Sequence, residues 1–215
     1  MKVHFCIPGD LELPTGGYAY DRRVLEGLAR KGIKARHVRL PGSYPFPDEA
    51  ALAETGRALS SAGPGAILLI DGLAYGAMPR SLILAAASAG RRVIALVHHP
   101  LCLEAGLTAE ASRILEVSER GALALAEAVV VSSRATARTL ASDFGVPPMR
   151  ITVAEPGTLR AGRAGRAGDP PRLLAVGSVV PRKAYTVLVE ALAGLAHRSW
   201  RLRIVGACRD PAELT

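Results

Sequence analysis

Two adjacent cations, Arg182 and Lys183, stand near the end of this 215-residue chain. They follow the apolar run Leu173-Leu174-Ala175-Val176-Gly177 and a short loop, and an apolar helical pattern from Val187 to Leu195 comes after them. A strand, a cationic loop and a helix N-terminus in that order suit a phosphate-bearing ligand, because Arg and Lys add fixed positive charge beside unpaired N–H groups. A second phosphate candidate is Pro14-Thr15-Gly16-Gly17-Tyr18, where glycines let the backbone come close to a ligand at a helix start. The G-x-G-x-x-G fingerprint and the P-loop are both absent, so Gly16 and Gly17 read first as an ordinary turn and second as a phosphate cradle.

His98 and His99 close a predicted strand, the place where open α/β sheets put their ligand crevice. A histidine there can hydrogen-bond a sugar hydroxyl or a phosphate; the alternative is a capping or core histidine. Paired histidines can also hold a metal, but no third ligand stands nearby in the sequence, and no metal is expected. Ser132 and Ser133 follow the next strand signal and read first as a helix N-cap, second as polar ligand contacts. Cys6, Cys102 and Cys208 are far apart and form no C-x-x-C pair, which argues against a zinc site or a disulfide framework. Cys6, in a predicted core strand, reads as an inert small hydrophobe.

The elements that must position these groups alternate. Strand signals cover Lys2–Pro8, Ile33–Leu40, Ala66–Asp71, Arg92–Val97, Ala128–Ser132 and Arg150–Ala154. Between them lie helical patterns at Tyr18–Lys31 (apolar face Val24, Leu25, Leu28, Ala29), Glu49–Ser61, Arg80–Ala89 and Arg134–Phe144. A further long helix is capped by Thr108, with Ala111, Ile114, Leu115, Ala122 and Leu125 on its apolar face. This βα rhythm predicts a doubly wound, Rossmann-like parallel sheet with helices on both faces. Three Arg-Ala-Gly triplets and a Pro-Pro pair within Leu159–Pro171 then interrupt it. Afterwards it restarts with strand Arg172–Val176, a helix near Thr186–His197 and strand Arg201–Val205. The predicted organisation is a first domain over 1–157, a linker over 158–171 and the first βαβ part of a second domain over 172–215. A lone βαβ cannot bury a core, so Leu188, Leu192 and Leu195 are expected to face water or another chain.

Composition narrows the partners. The net charge of +8 divides into +2 for residues 1–156 and +6 for residues 157–215. A basic second part fits phosphate or an anionic surface, and peripheral membrane association follows as one expectation. No basic stripe interleaved with aromatics occurs, so nucleic acid is not expected as a partner. No apolar run reaches the roughly 18 residues that span a bilayer, and the N-terminal apolar stretch is too short for a signal peptide. The expected location is cytoplasmic, including the inner face of the membrane.

Read in order, these pieces resemble the retaining glycosyltransferases of family 4, which have the GT-B fold. The resemblance rests on Thr15-Gly16-Gly17, Val97-His98, Val129-Val130-Val131-Ser132-Ser133, and Ile151-Thr152-Val153 leading to Pro156-Gly157. It continues through Leu174-Ala175-Val176-Gly177 to Pro181-Arg182-Lys183, then Val187-Leu188, Ala191-Leu192 and Leu202–Gly206. It implies a first domain that mainly holds the acceptor and a second that holds a nucleotide-diphosphate sugar. Arg182 and Lys183 would then neutralise the diphosphate, Gly16 and Gly17 would face the same phosphates, and His98 would act beside the transferred hexose. No cofactor is implied, and the acceptor would be a saccharide or a lipid-linked molecule. Three departures stand out: Ser178 and Ala184 occupy positions where the family often has Arg and Gly, and the paired glutamates that hold donor sugar and ribose would fall beyond residue 215. The expectation is therefore a truncated, inactive form; the alternative is a non-catalytic Rossmann-like binding module or a gene remnant.

Overall fold

The computed structural model describes residues 2–163 and 170–207, and the chain divides into one unit over Met1–Gly157 and another over Thr158–Thr215. In the first unit the strands β1 (Lys2–Pro8), β2 (Lys34–Leu40), β3 (Ile67–Asp71), β4 (Arg92–Val97), β5 (Ala128–Val131) and β6 (Ile151–Val153) form one sheet. Every neighbouring pair is parallel, in the order β2-β1-β3-β4-β5-β6. The central strands are apolar on both faces because helices cover both sides. Cys6, Leu68, Ile70, Ala95 and Val97 pack into one core, and Phe5, Ile7, Leu69 and Leu96 into another across the sheet. This is the period-two alternation of a pleated strand. β2, with Lys34, Arg36 and Arg39 among its seven residues, is an edge strand whose charge opposes further pairing.

The helices are α1 (Gly16–Arg30), α2 (Glu49–Ser60), the short α3 (Gly72–Tyr75), α4 (Arg80–Ser88), α5 (Ala109–Leu123) and α6 (Arg134–Ser142). Most begin at a side-chain cap that accepts a backbone N–H: Thr15 for α1, Asp48 for α2, Asp71 for α3, Thr108 for α5 and Ser133 for α6. Thr15 starts α1 two residues before the expected Tyr18, so Gly16 and Gly17 are its first turn rather than a preceding loop. α3 was not expected; it exists because Asp71, the last residue of β3, bonds the amide of Leu73 at 2.9 Å.

The face of α5 also differs from expectation. Ile114 is 58% exposed, while Glu119 is 1% exposed and lies on the buried stripe with Leu115, Ala122 and Leu123. Its Oε2 accepts the amide of Leu101 at 2.8 Å, which pins the turn after His98-His99-Pro100. On α1, Ala29 is likewise exposed, and Asp21 takes the fully buried position of that helix.

The second unit pairs β7 (Arg172–Val176) with β8 (Arg201–Val205) in parallel, joined through a 3-10 turn at Pro181–Lys183 and α7 (Tyr185–Ala193). Leu174, Val176 and Val187 are more than 60% exposed, whereas Leu192, expected to be open, is buried and Leu188 half-buried. Ala184 adopts a left-handed backbone (φ 50°, ψ 42°), the conformation that glycine takes without steric penalty. Of the expected linker, residues 158–163 carry no regular element, and 164–169, with Arg166, lie outside the described residues, as does Cys208.

Burial pushes the Glu119 carboxyl up to about 7 against the lowering effect of the amides of Leu101 and Cys102. The folded chain therefore holds this proton more tightly than the unfolded one, and stability drains as pH rises from about 4.5 through 7. Glu119→Gln keeps an acceptor without a charge and is expected to match or exceed the parent's stability at pH 8. Glu119→Ala strands the Leu101 amide and should cost about 1–3 kcal/mol. Urea unfolding at pH 5 and pH 8 checks both; a Gln variant less stable than Ala at pH 8 would be the wrong outcome.

Candidate functional site

The strand order places β1 between β2 and β3, so the chain leaves β1 toward one side of the sheet and returns through β3 on the other. Such a reversal opens a crevice at the C-terminal ends of the strands. Three elements meet there. α1 follows β1, Asp71 ends β3, and His98 is the first residue after β4.

His98 Nε2 lies 3.1 Å from Asp21 Oδ1 and 3.4 Å from Asp71 Oδ2. Asp21 is fully buried and Asp71 nearly so, while a quarter of the His98 side chain is exposed. The Tyr20 ring meets the imidazole edge-on, with centroids 5.2 Å apart and planes at 84°. The His98 carbonyl accepts from Thr136 Oγ1 at 3.2 Å and Ser132 Oγ at 3.3 Å, so side chain and backbone are both held. α1 is tied down at both edges: Tyr18 Oη donates to the Pro8 carbonyl (2.8 Å) and Tyr20 Oη to that of Ala154 (2.7 Å). Alongside runs an open groove lined by Gly16, Tyr20, Arg23, Glu155, Pro156 and Gly157.

The charges follow from burial and pairing. Burial opposes charge on His98, but its bonds to Asp21 and Asp71 and their negative charge outweigh that and lift it to about 9. Burial raises the Asp21 carboxyl to about 6, opposed by the His98 hydrogen bond and aided by the nearby Asp71 charge. Asp21 Oδ2 has no donor among the described residues. The ligand atoms of Asp21, Asp71 and His98 lie within 4.8 Å of one another, a spacing compatible with a divalent cation. Nε2 faces that same position between the two carboxylates. The sequence offered no third polar group beside His98; the fold supplies two.

Of the residues singled out in the sequence, Gly17, His98, Ser132 and Ser133 come together here. A Cβ built on Gly17 would sit 3.5 Å from His98 Cδ2, in ordinary contact, and one on Gly16 would meet nothing within 4 Å. Ser133 caps α6 by accepting the Thr136 amide at 3.0 Å, and Ser132 anchors the His98 carbonyl. Lys183 belongs to the other unit, where its stem lies near Gly177 and Tyr185 Oη donates to the Gly177 carbonyl at 2.9 Å. The side chain of Arg182 lies outside the described residues. His99 bonds only the Leu103 carbonyl among the described residues, at 3.3 Å. Asp21 and Asp71 escaped the sequence reading, although Asp21 shares the helical stripe of Val24, Leu25 and Leu28, and Asp71 closes an apolar strand. A carboxylate on a buried stripe was the available signal.

A family model described as "Glycosyl transferase 4-like domain" matches residues 4–157. The chain belongs to this family. No curated protein matches it. Among solved structures it is similar in fold to an alpha-glucosyltransferase in complex with UDP and a 13-mer DNA containing a central A:G mismatch (13% identity, TM-score 0.54). Another is an alpha-glucosyltransferase in complex with UDP (13% identity, TM-score 0.53). The alignments cover 100% of this chain but only 58% and 60% of those chains. The six-stranded parallel sheet is accordingly Rossmann-like. Among the described residues no helix is long and apolar enough to cross a membrane.

Because His98 is lifted above its ordinary 6.5, its stabilising contribution is complete below that value and is lost as pH rises through about 9. Asp21, raised from 3.8 to about 6, favours folding when protonated and withdraws stability as pH rises across that window. The chain should unfold more readily at pH 10 than at pH 7, and His98→Gln should flatten that difference. Thermal unfolding of both forms at constant ionic strength measures it, and parallel curves would remove the cluster from the stability of the fold.

Proposed function

We propose that this chain serves glycosyl transfer from a nucleotide-diphosphate hexose to a saccharide or lipid-linked acceptor, with retention. The observation that carries the reading is the meeting of the α1 N-terminus with His98 at the C-terminal sheet edge, inside a glycosyl transferase 4-like domain. The first amides of α1, at Gly16 and Gly17, are suited to receive phosphate oxygens, since a helix N-terminus offers unpaired N–H groups and a favourable dipole. His98 would address the sugar. Arg182 and Lys183 would neutralise the leaving diphosphate, where charge accumulates as the glycosidic bond breaks. The UDP bound by both similar glucosyltransferases supports a nucleotide donor. One of them also carries DNA. For this chain the +2 balance of residues 1–156 and the lack of a basic stripe with aromatics favour a saccharide or lipid-linked acceptor. A cytoplasmic site of action, at or near the inner membrane face, fits such an acceptor.

With the diphosphate met by helix amides and side chains such as the solvent-exposed Lys183, the 215-residue chain is expected to bind donors weakly, at roughly millimolar Kd. Transfer should be negligible. Calorimetry with UDP- and GDP-hexoses, paired with a transfer assay, tests this in the native chain and in Lys183→Ala. The expected result is salt-sensitive binding weakened about fivefold by the substitution, the loss of roughly one solvent-exposed ion contact. Binding unaffected by Lys183→Ala removes that lysine's role, and efficient turnover by the chain refutes the weak-donor expectation.

A further inference from the structure

The Asp21–His98–Asp71 cluster contains more negative charge than its imidazole can balance. Two buried carboxylates face one ring nitrogen, and Asp21 Oδ2 is left without a donor among the described residues. Around the ring, α1 contributes Asp21 and Tyr20, and β3 contributes Asp71; from the β5–α6 side the contacts to His98 among the described residues are the uncharged hydroxyls of Ser132 and Thr136, both on its carbonyl, while Arg134 at the start of α6 pairs with Glu155. Nδ1 makes no hydrogen bond among the described residues, and the ring is a quarter exposed.

We propose that Asp21 and Asp71 are positioning residues that fix His98 as an imidazolium with Nε2–H shared between them, leaving Nδ1–H to donate to a ligand hydroxyl rather than to a phosphate oxygen. With Nε2 held by two carboxylates, the ring is kept from flipping, and Nδ1 is the nitrogen it presents. With both carboxylates ionised, the cluster carries a net charge of about −1, and a low-dielectric wall of that sign repels a phosphate dianion but not a neutral hydroxyl. The division of labour is then chemical: the α1 amides take phosphate, and the cluster takes a sugar hydroxyl. Resting on the glycosyl-transfer reading, the same surplus charge faces the oxocarbenium-like character that the hexose develops as its bond to the diphosphate breaks, where negative charge is stabilising.

Histidine-selective NMR of the ligand-free 215-residue chain tests the positioning claim without any assumption about the reaction. His98 should titrate near pH 9, and its neutral form at higher pH should keep the proton on Nε2. Asp21→Asn and Asp71→Asn should each lower the midpoint by a unit or more, a tenfold or greater loss of proton affinity, with the melting curve still cooperative. A midpoint at or below 6.5, an Nδ1–H neutral form, or a midpoint unmoved in both variants would overturn the proposal. So would one equivalent of Zn²⁺ displacing the Nε2 proton, which would make the cluster a metal centre. If neither variant folds, the parent's midpoint and tautomer decide the matter. A second arm adds methyl hexosides or inorganic pyrophosphate. The hexosides should move the His98 resonances and pyrophosphate should leave them in place, and the reverse pattern refutes the hydroxyl assignment. A normal first arm with no response to any hexoside would instead count against the glycosyl-transfer reading.

Discussion

Two carboxylates buried at the end of a parallel sheet cannot both stay ionised without a cation, and the only one within reach among the described residues is the proton of His98. That constraint ties together three pieces of chain far apart in sequence. Asp21 comes from the first turns of α1, Asp71 from the last position of β3 and His98 from the exit of β4. Removing His98 leaves two buried carboxylates unanswered, so the loops at this edge are held by electrostatics as well as by packing. Asp71 serves twice, since its other oxygen caps α3.

The scaffold makes the cluster feasible. Parallel strands end together at one edge, and the reversal between β1 and β3 leaves a crevice where the first turn of α1 approaches His98 to van der Waals distance at Gly17. Below that edge Glu119 grips the turn after His98 from inside the protein, and the hydroxyls of Ser132 and Thr136 hold the His98 carbonyl from the neighbouring strand and helix. Position and orientation of the imidazole are thereby set by the surrounding structure before any ligand arrives, which is the condition for electrostatic help in a group-transfer step. The second unit is different in kind: among its described residues two strands and a helix leave much apolar surface open, and Ala184 holds a backbone shape that glycine adopts more readily.

Much of the fold was legible because buried parallel strands announce themselves as continuous apolar runs. β1, β4, β7 and β8 have the bounds read from the sequence; β2, β3 and β5 differ by one residue at one end, and β6 by one residue at each end. Helix edges were harder, since caps such as Thr15 act through one side chain that periodicity does not weigh. The first unit's polar site was half legible. Strand-end position pointed to His98 and Ser132, but Asp21 and Glu119 were passed over because each occupies a slot in an apolar helical stripe. A stripe predicts burial, not residue type, and only the three-dimensional meeting of elements shows what answers a buried charge. Ile114, apolar yet exposed, is the same lesson reversed.

The family membership and the sheet edge converge on one account: a Rossmann-like domain whose C-terminal sheet edge is organised around a histidine clamped by two acids. Its most direct test is a double-mutant cycle on unfolding free energy at pH 7, using Asp21→Asn, His98→Gln and the pair. If the imidazolium answers the buried carboxylate, the double change costs less than the sum of the two single changes, with an interaction energy of about 1 kcal/mol or more. Additivity within about 0.3 kcal/mol would contradict the account, because it would mean the two side chains are neighbours without being partners.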